Sequence, residues 1–455
     1  MIDDEAHSPQ LSLGKLKVLS VLGRGAKGVV FLVSGEDNEL LALKVISKAI
    51  IAENHKKKAE KLKKKNIEDA DDERNCEFVD GSEYKRIWFE RDVLKRLEHP
   101  LLPKLRGVVE NQKIVGYAMD YCPGRDLHSL RRKQSEKTFS DDIIRFYAAE
   151  LVLILDYLHK LGIVYRDLKP ENVMIQANGH LMLVDFDLST RLMFKSPALI
   201  SRTSSSSSAS SVASSHRRST SSSSTKSSTT KAKRRSNFYR WCNAGISPEE
   251  PRHSIEHGSI SNRSDNSTSV LKSNSFVGTE EYVAPEIITG DGHDFGVDWW
   301  SLGVVLYEML YGATPFVGSN RKETFYRILS KTPELVGEAT PLRDLIRKLL
   351  EKDPKKRIGV DEIKRHEFFK GVDWETVAEI SRPPWIPLLD EECELSGGGV
   401  IDVESFVHGV FAGELAGAGN GEGCKIEDGG HVVGSGRRAG GLNHPLSQAN
   451  DFLVF

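Results

Sequence analysis

Tyr165-Arg166-Asp167-Leu168-Lys169-Pro170-Glu171-Asn172, followed by Asp185-Phe186-Asp187, is the stretch whose reading decides the fold. Its polar residues fall on turns between short apolar runs. Taken singly, each reads as well as a turn-capping group. As an ordered set, Asp167, Lys169, Asn172 and Asp185 match what phosphoryl transfer requires. One carboxylate receives a hydroxyl proton, a cation stands near the moving phosphate, and two oxygen donors hold magnesium.

Upstream, Leu16-Lys17-Val18-Leu19-Ser20-Val21-Leu22 reads as a strand ending in the turn Gly23-Arg24-Gly25-Ala26-Lys27-Gly28. Glycines there let the backbone approach a phosphate and offer it amide protons. The same spacing marks dinucleotide folds, but a strand, Val29-Val30-Phe31-Leu32-Val33, follows it here, against a Rossmann unit. Leu41-Ala42-Leu43-Lys44-Val45-Ile46 is then an apolar strand carrying a lysine that is costly to bury unpaired. Glu90, in the helical run Tyr84–Leu97 that stops before His99-Pro100, is the expected partner; the alternative is a solvated helix residue.

A lysine-rich block (Lys56 to Lys65) and an acidic block (Glu68 to Glu73) separate the two. They read as a solvated insertion over about 54–80 whose charges neutralise each other. A nuclear-import patch, or an anionic-lipid patch giving peripheral membrane contact, is the alternative. Ser140-Asp141-Asp142 opens a helix, apolar on nearly every face, that closes at Lys160 and Gly162 and is expected to be buried. From Ser201 to Thr230, 22 of 30 residues are Ser or Thr, too polar to fold; the insertion spans about 192–272. The basic run Lys231–Arg235 is a weak localisation signal. Residues from Gly397 to Gly441 are glycine-rich and expected to be mobile.

With 39% hydrophobic and 28% charged residues the composition is that of an ordinary globular chain. A net charge of −2 gives no global basic field, and the lysine block lacks interleaved aromatics, so no nucleic-acid partner is expected. The five cysteines (Cys76, Cys122, Cys242, Cys393, Cys424) show no metal-ligand spacing and fit a reducing compartment. The acidic start lacks a signal-peptide pattern, and no apolar run reaches ~18 residues. A cytoplasmic location is expected, with the nucleus or plasma-membrane periphery as alternatives.

These motifs together resemble the AGC group of serine/threonine protein kinases. Tyr165 where histidine is commoner, and the Ala284-Pro285-Glu286 element after Ser273–Tyr282, carry the likeness. Asp185-Phe186-Asp187 with a long following insertion resembles the plant-specific branch. Along Gly23–Val33, Tyr117–Gly124, Glu150–Leu188 and Ser273–Ser330 the match is to the oxidative-signal-inducible kinases of plants, which implies a role in peroxide and defence signalling upstream of mitogen-activated kinase pathway components.

The resemblance implies an α+β bilobal fold: an N-terminal extension (1–12), a β-rich small lobe (13–121), a mainly helical large lobe (122–369) and a tail (370–455). It implies ATP and Mg2+, with Asp167 and Lys169 catalytic and Asn172 and Asp185 on the metal. Nucleotide contacts are expected from Leu22, Gly23, Arg24, Gly25, Ala26, Lys27, Gly28, Val29, Val30, Ala42, Lys44, Glu90, Asp120, Cys122, Asp126 and Met174. Met119 is the gatekeeper, and Asp126 reaches the ribose. Ser275 is the regulatory phosphosite, its phosphate paired by Arg86 and Arg166, and Thr279 lines the substrate-binding loop. Asp126, Glu171 and Glu308 select basic residues upstream of the target. Arg357 pairs with Glu286, and Asp298 braces the catalytic loop. Phe452 and Phe455 form a terminal docking motif for a small-lobe groove, where it stabilises the helix carrying Glu90 or recruits an upstream phosphoinositide-dependent kinase. The rival is a pseudokinase scaffold, supported by Asp187 where glycine is expected. Aspartate resists backbone flips that glycine allows, which would shift control to Ser275 and the terminal Phe pair.

Overall fold

The computed structural model describes residues 10–25, 28–53, 56, 82–192, 272–381, 383–387, 401–416 and 453–454. Most of both insertions falls outside the described residues.

The small lobe begins with β1 (Lys17–Arg24), β2 (Gly28–Ser34) and β3 (Leu40–Ser47), an antiparallel meander. Helix α1 (Ser82–Leu94), β4 (Leu105–Glu110) and β5 (Ile114–Asp120) follow, and the sheet runs β1-β2-β3-β5-β4. Side chains alternate along a strand. Val29, Phe31 and Val33 of β2, with Leu41, Leu43 and Val45 of β3, therefore share one apolar face. Val30 stands opposite Lys44, and Lys44 opposite Tyr117, so the lysine lies mid-sheet.

Beyond the connection at Tyr121–Arg125 come α2 (Leu127–Lys133) and α3 (Asp141–Lys160). Ser140 takes the N-cap position of α3 without a side-chain bond, leaving Asp141 and Asp142 as the favourable charges of its first turn. Short strands β6 (Ile163–Val164), β7 (Val173–Ile175), β8 (Leu181–Leu183) and β9 (Thr190–Arg191) pair as β6 with β9 and β7 with β8. Helices α4 (Pro285–Thr289), α5 (Gly296–Tyr311), α6 (Arg321–Ser330), α7 (Pro341–Leu349) and α8 (Val360–Lys364) complete the large lobe. Helix α5 packs tightly on α7: a Cβ at Gly303 would lie 2.8 Å from Leu349 Cβ. Among the described residues no helix is long and apolar enough to cross a membrane.

The tail departs from expectation. Within the stretch read as mobile, Val403–Ala416 forms helix α9 on the outer face of the small-lobe sheet. Val403, Val407 and Phe411, at i, i+4 and i+8, are buried against that sheet, and Phe406 meets Phe31 edge-on at 5.7 Å. Glu404 anchors one side, accepting from Asn111 Nδ2 at 2.6 Å and pairing with Lys113 at 3.0 Å. Finally β10 (Leu453–Val454) pairs parallel to β1 at Gly23 and Arg24. Phe452 and Phe455 themselves lie outside the described residues.

Candidate active site

The lobes enclose a cleft of about 630 Å³. Leu22, Val30, Ala42, Met119 and Met174 line it with Asp120, Cys122 and Asp126. Period-2 alternation sends Val29 to the opposite face, under α9, away from the cleft. Gly25 N donates to Gly28 O at 2.8 Å across the turn; Ala26 and Lys27 lie outside the described residues. Gly28 is required for close strand approach, since a Cβ there would come within 2.4 Å of Val45 O. Arg24 turns outward, its guanidinium 4.9 Å from the Phe411 ring centroid on α9.

Three charged groups meet deep in the cleft. Lys44 Nζ donates to Glu90 Oε1 (3.1 Å) and Oε2 (3.0 Å) from α1 and to Asp185 Oδ1 (3.0 Å) from the large lobe. Burial alone would lower the lysine's pKa, but Asp185 and Glu90 outweigh it and hold the ammonium well above its ordinary range. Burial likewise opposes ionisation of Asp185, and Lys44 overcomes it, so that carboxyl sits below its usual range. Phe186 is fully buried against Tyr165 (5.4 Å, edge-on), and its N–H donates to Glu90 Oε1 at 3.1 Å. One glutamate thus ties α1 to the cleft lysine and to the Asp-Phe-Asp turn.

The catalytic loop is held from below. Asp298, fully buried on α5, accepts from Tyr165 N (2.9 Å) and Arg166 N (2.7 Å), and its Oδ2 lies 2.8 Å from His159 Nε2. This brace holds Arg166 at φ 72°, a left-handed conformation that non-glycine residues seldom adopt. Asp185 is left-handed too, at φ 59°. Asp187 is not among the left-handed residues, so its aspartate side chain meets no such strain where it stands.

Above the loop, Asp167 collects donors on both oxygens. Oδ1 accepts from Thr279 N (3.1 Å) and Oγ1 (2.7 Å); Oδ2 accepts from Lys169 Nζ (3.0 Å) and Asn172 Nδ2 (3.1 Å). Lys169 also donates to Thr279 Oγ1 at 3.1 Å, so Thr279 stands closer to the chemistry than a loop-lining role implies. Asn172 Oδ1 is buried with no hydrogen-bond partner. An orphaned buried acceptor is costly. With the Asp185 carboxylate it supplies hard oxygen donors of the kind magnesium takes, so the residues fit that ion.

A groove of about 790 Å³ leads away from this centre, lined by Lys169, Glu171, Thr279, Tyr282, Glu308 and Val317 among others. The three acids expected to select basic substrates differ sharply in freedom. Asp126 accepts from Ser129 N (2.6 Å) and Oγ (2.9 Å), capping α2. Glu308 is buried, bonded to Arg131 Nη2 (2.8 Å) and Tyr282 Oη (2.5 Å). Glu171 is half-buried, with Oε2 unpaired.

Ser275 is buried, with its Oγ 2.5 Å from Arg166 Nη1, which also reaches Ser273 Oγ at 3.2 Å. His293 stands beside them; burial and the arginine lower its pKa to about 4, leaving it neutral. The side chain of Arg86 lies outside the described residues, although its backbone is in α1. Arg357 donates to both oxygens of Glu286 (2.7 and 3.0 Å).

Cys122 is buried in the connection between the lobes, 3.5 Å from Met182 Sδ. Burial, with Asp120 alongside, pushes its thiol up to about 12, so almost no thiolate exists near neutrality. Cys122 in the folded protein is expected to escape iodoacetamide at pH 7.5 and to label fully in urea, read by peptide mass mapping. Equal labelling in both states would contradict the assignment.

His128, Arg131, His159 and Tyr282 had no reading in the sequence. Each acts through a partner more than 20 residues away, which local pattern does not reveal.

The Protein kinase domain family model matches residues 16–213 and 258–369. Serine/threonine-protein kinase OXI1 of Arabidopsis thaliana is 54% identical over 99% of each chain. Serine/threonine-protein kinase UCN of the same plant is 41% identical, over 84% of this chain and 86% of its own. Phototropin-2 of Oryza sativa subsp. japonica is 36% identical over 82% of this chain and 34% of its own length.

Proposed function

This chain belongs to the protein kinase family, in its AGC serine/threonine group, and from that premise we propose that it moves the γ-phosphoryl group of ATP onto serine or threonine hydroxyls by way of Asp167, under control of Ser275 and the tail. The observation that carries this reading is the closed chain of contacts Glu90–Lys44–Asp185, continuous with Phe186 buried inward.

Asp167 accepts the proton of the incoming hydroxyl, while Thr279 fixes the orientation of its carboxylate. Lys169, three ångströms from that carboxylate, offers charge where the phosphoryl group becomes more negative. Lys44 grips the non-transferred phosphates, held in place by Glu90. Asn172 and Asp185 would hold magnesium, which neutralises phosphate charge when bound. Transfer of labelled phosphate from ATP to a serine peptide with upstream arginines tests the reading; no transfer by wild-type protein phosphorylated on Ser275 would sink it.

Regulation follows from the arginine already touching Ser275. A phosphate there would convert a neutral contact to Arg166 into charge-assisted bonds, fixing the activation segment to the catalytic loop. Because Ser275 is buried, the segment must lift out before an upstream kinase can reach it. Ser275→Ala is expected to lower kcat/KM by about 5–150-fold, the usual range of a coupling between sites. Full activity of the alanine variant would remove Ser275 from the mechanism. Recruitment of a phosphoinositide-dependent kinase through Phe452 and Phe455, and a place in oxidative-stress and defence signalling upstream of mitogen-activated kinases, are supported by the terminal Phe-Leu-Val-Phe sequence and by likeness to the plant AGC kinases. A cytoplasmic location belongs to the same reading.

A further inference from the structure

His180, at the entry to β8, is buried between α3 on one side and the start of the tail on the other. Its Nδ1 meets Glu150 Oε1 in a short contact, and its Nε2 lies 2.9 Å from the Ile380 carbonyl oxygen. The second Glu150 oxygen accepts from Leu181 N at 2.8 Å. Turn and tail are closely apposed here: a Cβ on Gly179, at φ 87°, would fall 2.3 Å from Trp385 O and 3.0 Å from Pro383 Cβ. The Ile380 side chain itself is exposed, so the carbonyl and not apolar burial fastens this point.

Two oxygens face the two ring nitrogens, and a neutral imidazole has one N–H to give. A carboxylate and a carbonyl both accept only, so satisfying both takes a second proton. It rests on the imidazole, or on Glu150 with Nδ1 as its acceptor; the count is the same either way. Burial alone would make His180 less basic, but its bond to Glu150 outweighs this and holds the imidazole above its ordinary range. Burial also lifts the Glu150 carboxyl, against the opposing effect of His180 and the Leu181 N–H. Both members of the couple therefore retain protons. From α3, Phe146 sets its ring 5.8 Å from the imidazole, and Tyr147 faces Glu150 with a hydroxyl that burial keeps un-ionised. Arg145 is spent on Phe368 O and Asp142. The turn adds the neutral Asn178, which accepts from His180 N at 3.1 Å. From the tail comes the Ile380 carbonyl, with the neighbouring Glu379 exposed to solvent.

We propose that a proton held between Glu150 and His180 latches the tail to the large lobe at Ile380, and that the latch opens as pH rises. Loss of that proton leaves a buried carboxylate beside a neutral imidazole. The single N–H then stays on Nδ1, with the stronger, charged acceptor, and Ile380 O turns to water. Because the couple is more basic folded than unfolded, the latch is fully closed below about pH 6.5, where free histidine titrates. Its contribution is lost as pH rises through the higher folded value. His180 and Glu150 line neither the nucleotide cleft nor the substrate groove, so the device stands apart from the reaction.

Hydrogen–deuterium exchange of the full chain tests this, read by mass spectrometry on peptides spanning 377–387 and corrected for the intrinsic effect of pH. Wild-type protection there is expected to fall about tenfold from pH 6.5 to 9.0, while peptides of α5 hold theirs. His180→Gln should be weakly protected and the same at both pH values, because its amide has no proton to lose. Glu150→Gln makes the opposite forecast. Its NH2 group donates to Nδ1 and its oxygen keeps Leu181 N, leaving Nε2–H for Ile380 O; protection should be high and flat. A couple with a merely structural role would lose protection in both variants. Wild-type protection that ignores pH, a surviving slope in His180→Gln, or weak protection in Glu150→Gln each overturns the proposal. Glu150→Gln keeps every hydrogen bond, so it decides the matter even where His180→Gln fails to fold.

Discussion

Asp167→Asn is expected to lower kcat for phosphoryl transfer by about 10²–10⁴-fold, the range that a positioned general base contributes. The geometry makes this a test of chemistry rather than of folding. Both oxygens of Asp167 are acceptors facing donors: Thr279 on one side, Lys169 and Asn172 on the other. An asparagine keeps one acceptor and turns an NH2 group toward the second set of donors. It can take no proton from a substrate hydroxyl. The Lys44–Glu90–Asp185 contacts do not include Asp167, so KM for ATP should stay within about threefold. Steady-state kinetics with a thermal midpoint on the same sample would check it. A kcat within twofold of wild type would remove Asp167 from the role of base.

Arg357→Met is expected to cost about 3–5 kcal/mol of stability, the usual penalty for leaving one member of a buried pair uncompensated. The guanidinium and the Glu286 carboxylate are both buried. Arg357 also donates to Gly296 O (2.8 Å) and Glu351 O (3.0 Å), so its loss takes a donor from two carbonyls as well. Adding Glu286→Gln should recover part of the loss, because the stranded charge is then gone. Urea unfolding followed by tryptophan fluorescence suits this site, since Trp300 lies 5.3 Å from the Arg357 guanidinium carbon. An unchanged midpoint in the single variant would show that the pair is better solvated than its burial implies.

The fold and the reacting centre were legible because their signals are local. Asp167, Lys169 and Asn172 lie within six residues, and the apolar periodicity of β2, β3 and α3 is read directly from the chain. Val29 shows the limit of reading a motif as a block: strand alternation places it on the far face from Val30. Asp126 and Glu308 show another, because an acidic side chain announces charge but not whether a cap or an arginine has claimed it. Helix α9 was masked by composition. Glycines dominate its surroundings, and Gly409 lies within the helix itself, where a Cβ would meet nothing within 4 Å. Its signal was the 403, 407, 411 stripe, whose meaning depends on an apolar sheet face more than 280 residues earlier in the chain.

The tail touches both lobes, and that has a mechanical consequence. Trp385 packs against the core of the large lobe, and the backbone there lies so close to Gly179 that a Cβ would fall 2.3 Å from Trp385 O. By Val403 the chain is seated on the small lobe. Thirteen residues, 388–400, join the two anchorages. Such a leash cannot exceed about 50 Å when fully stretched, so it caps how far the lobes can part but places no limit on their closing. Cut by a protease, it would leave α9 a bimolecular ligand of the sheet it now covers, without the effective concentration that a covalent link confers.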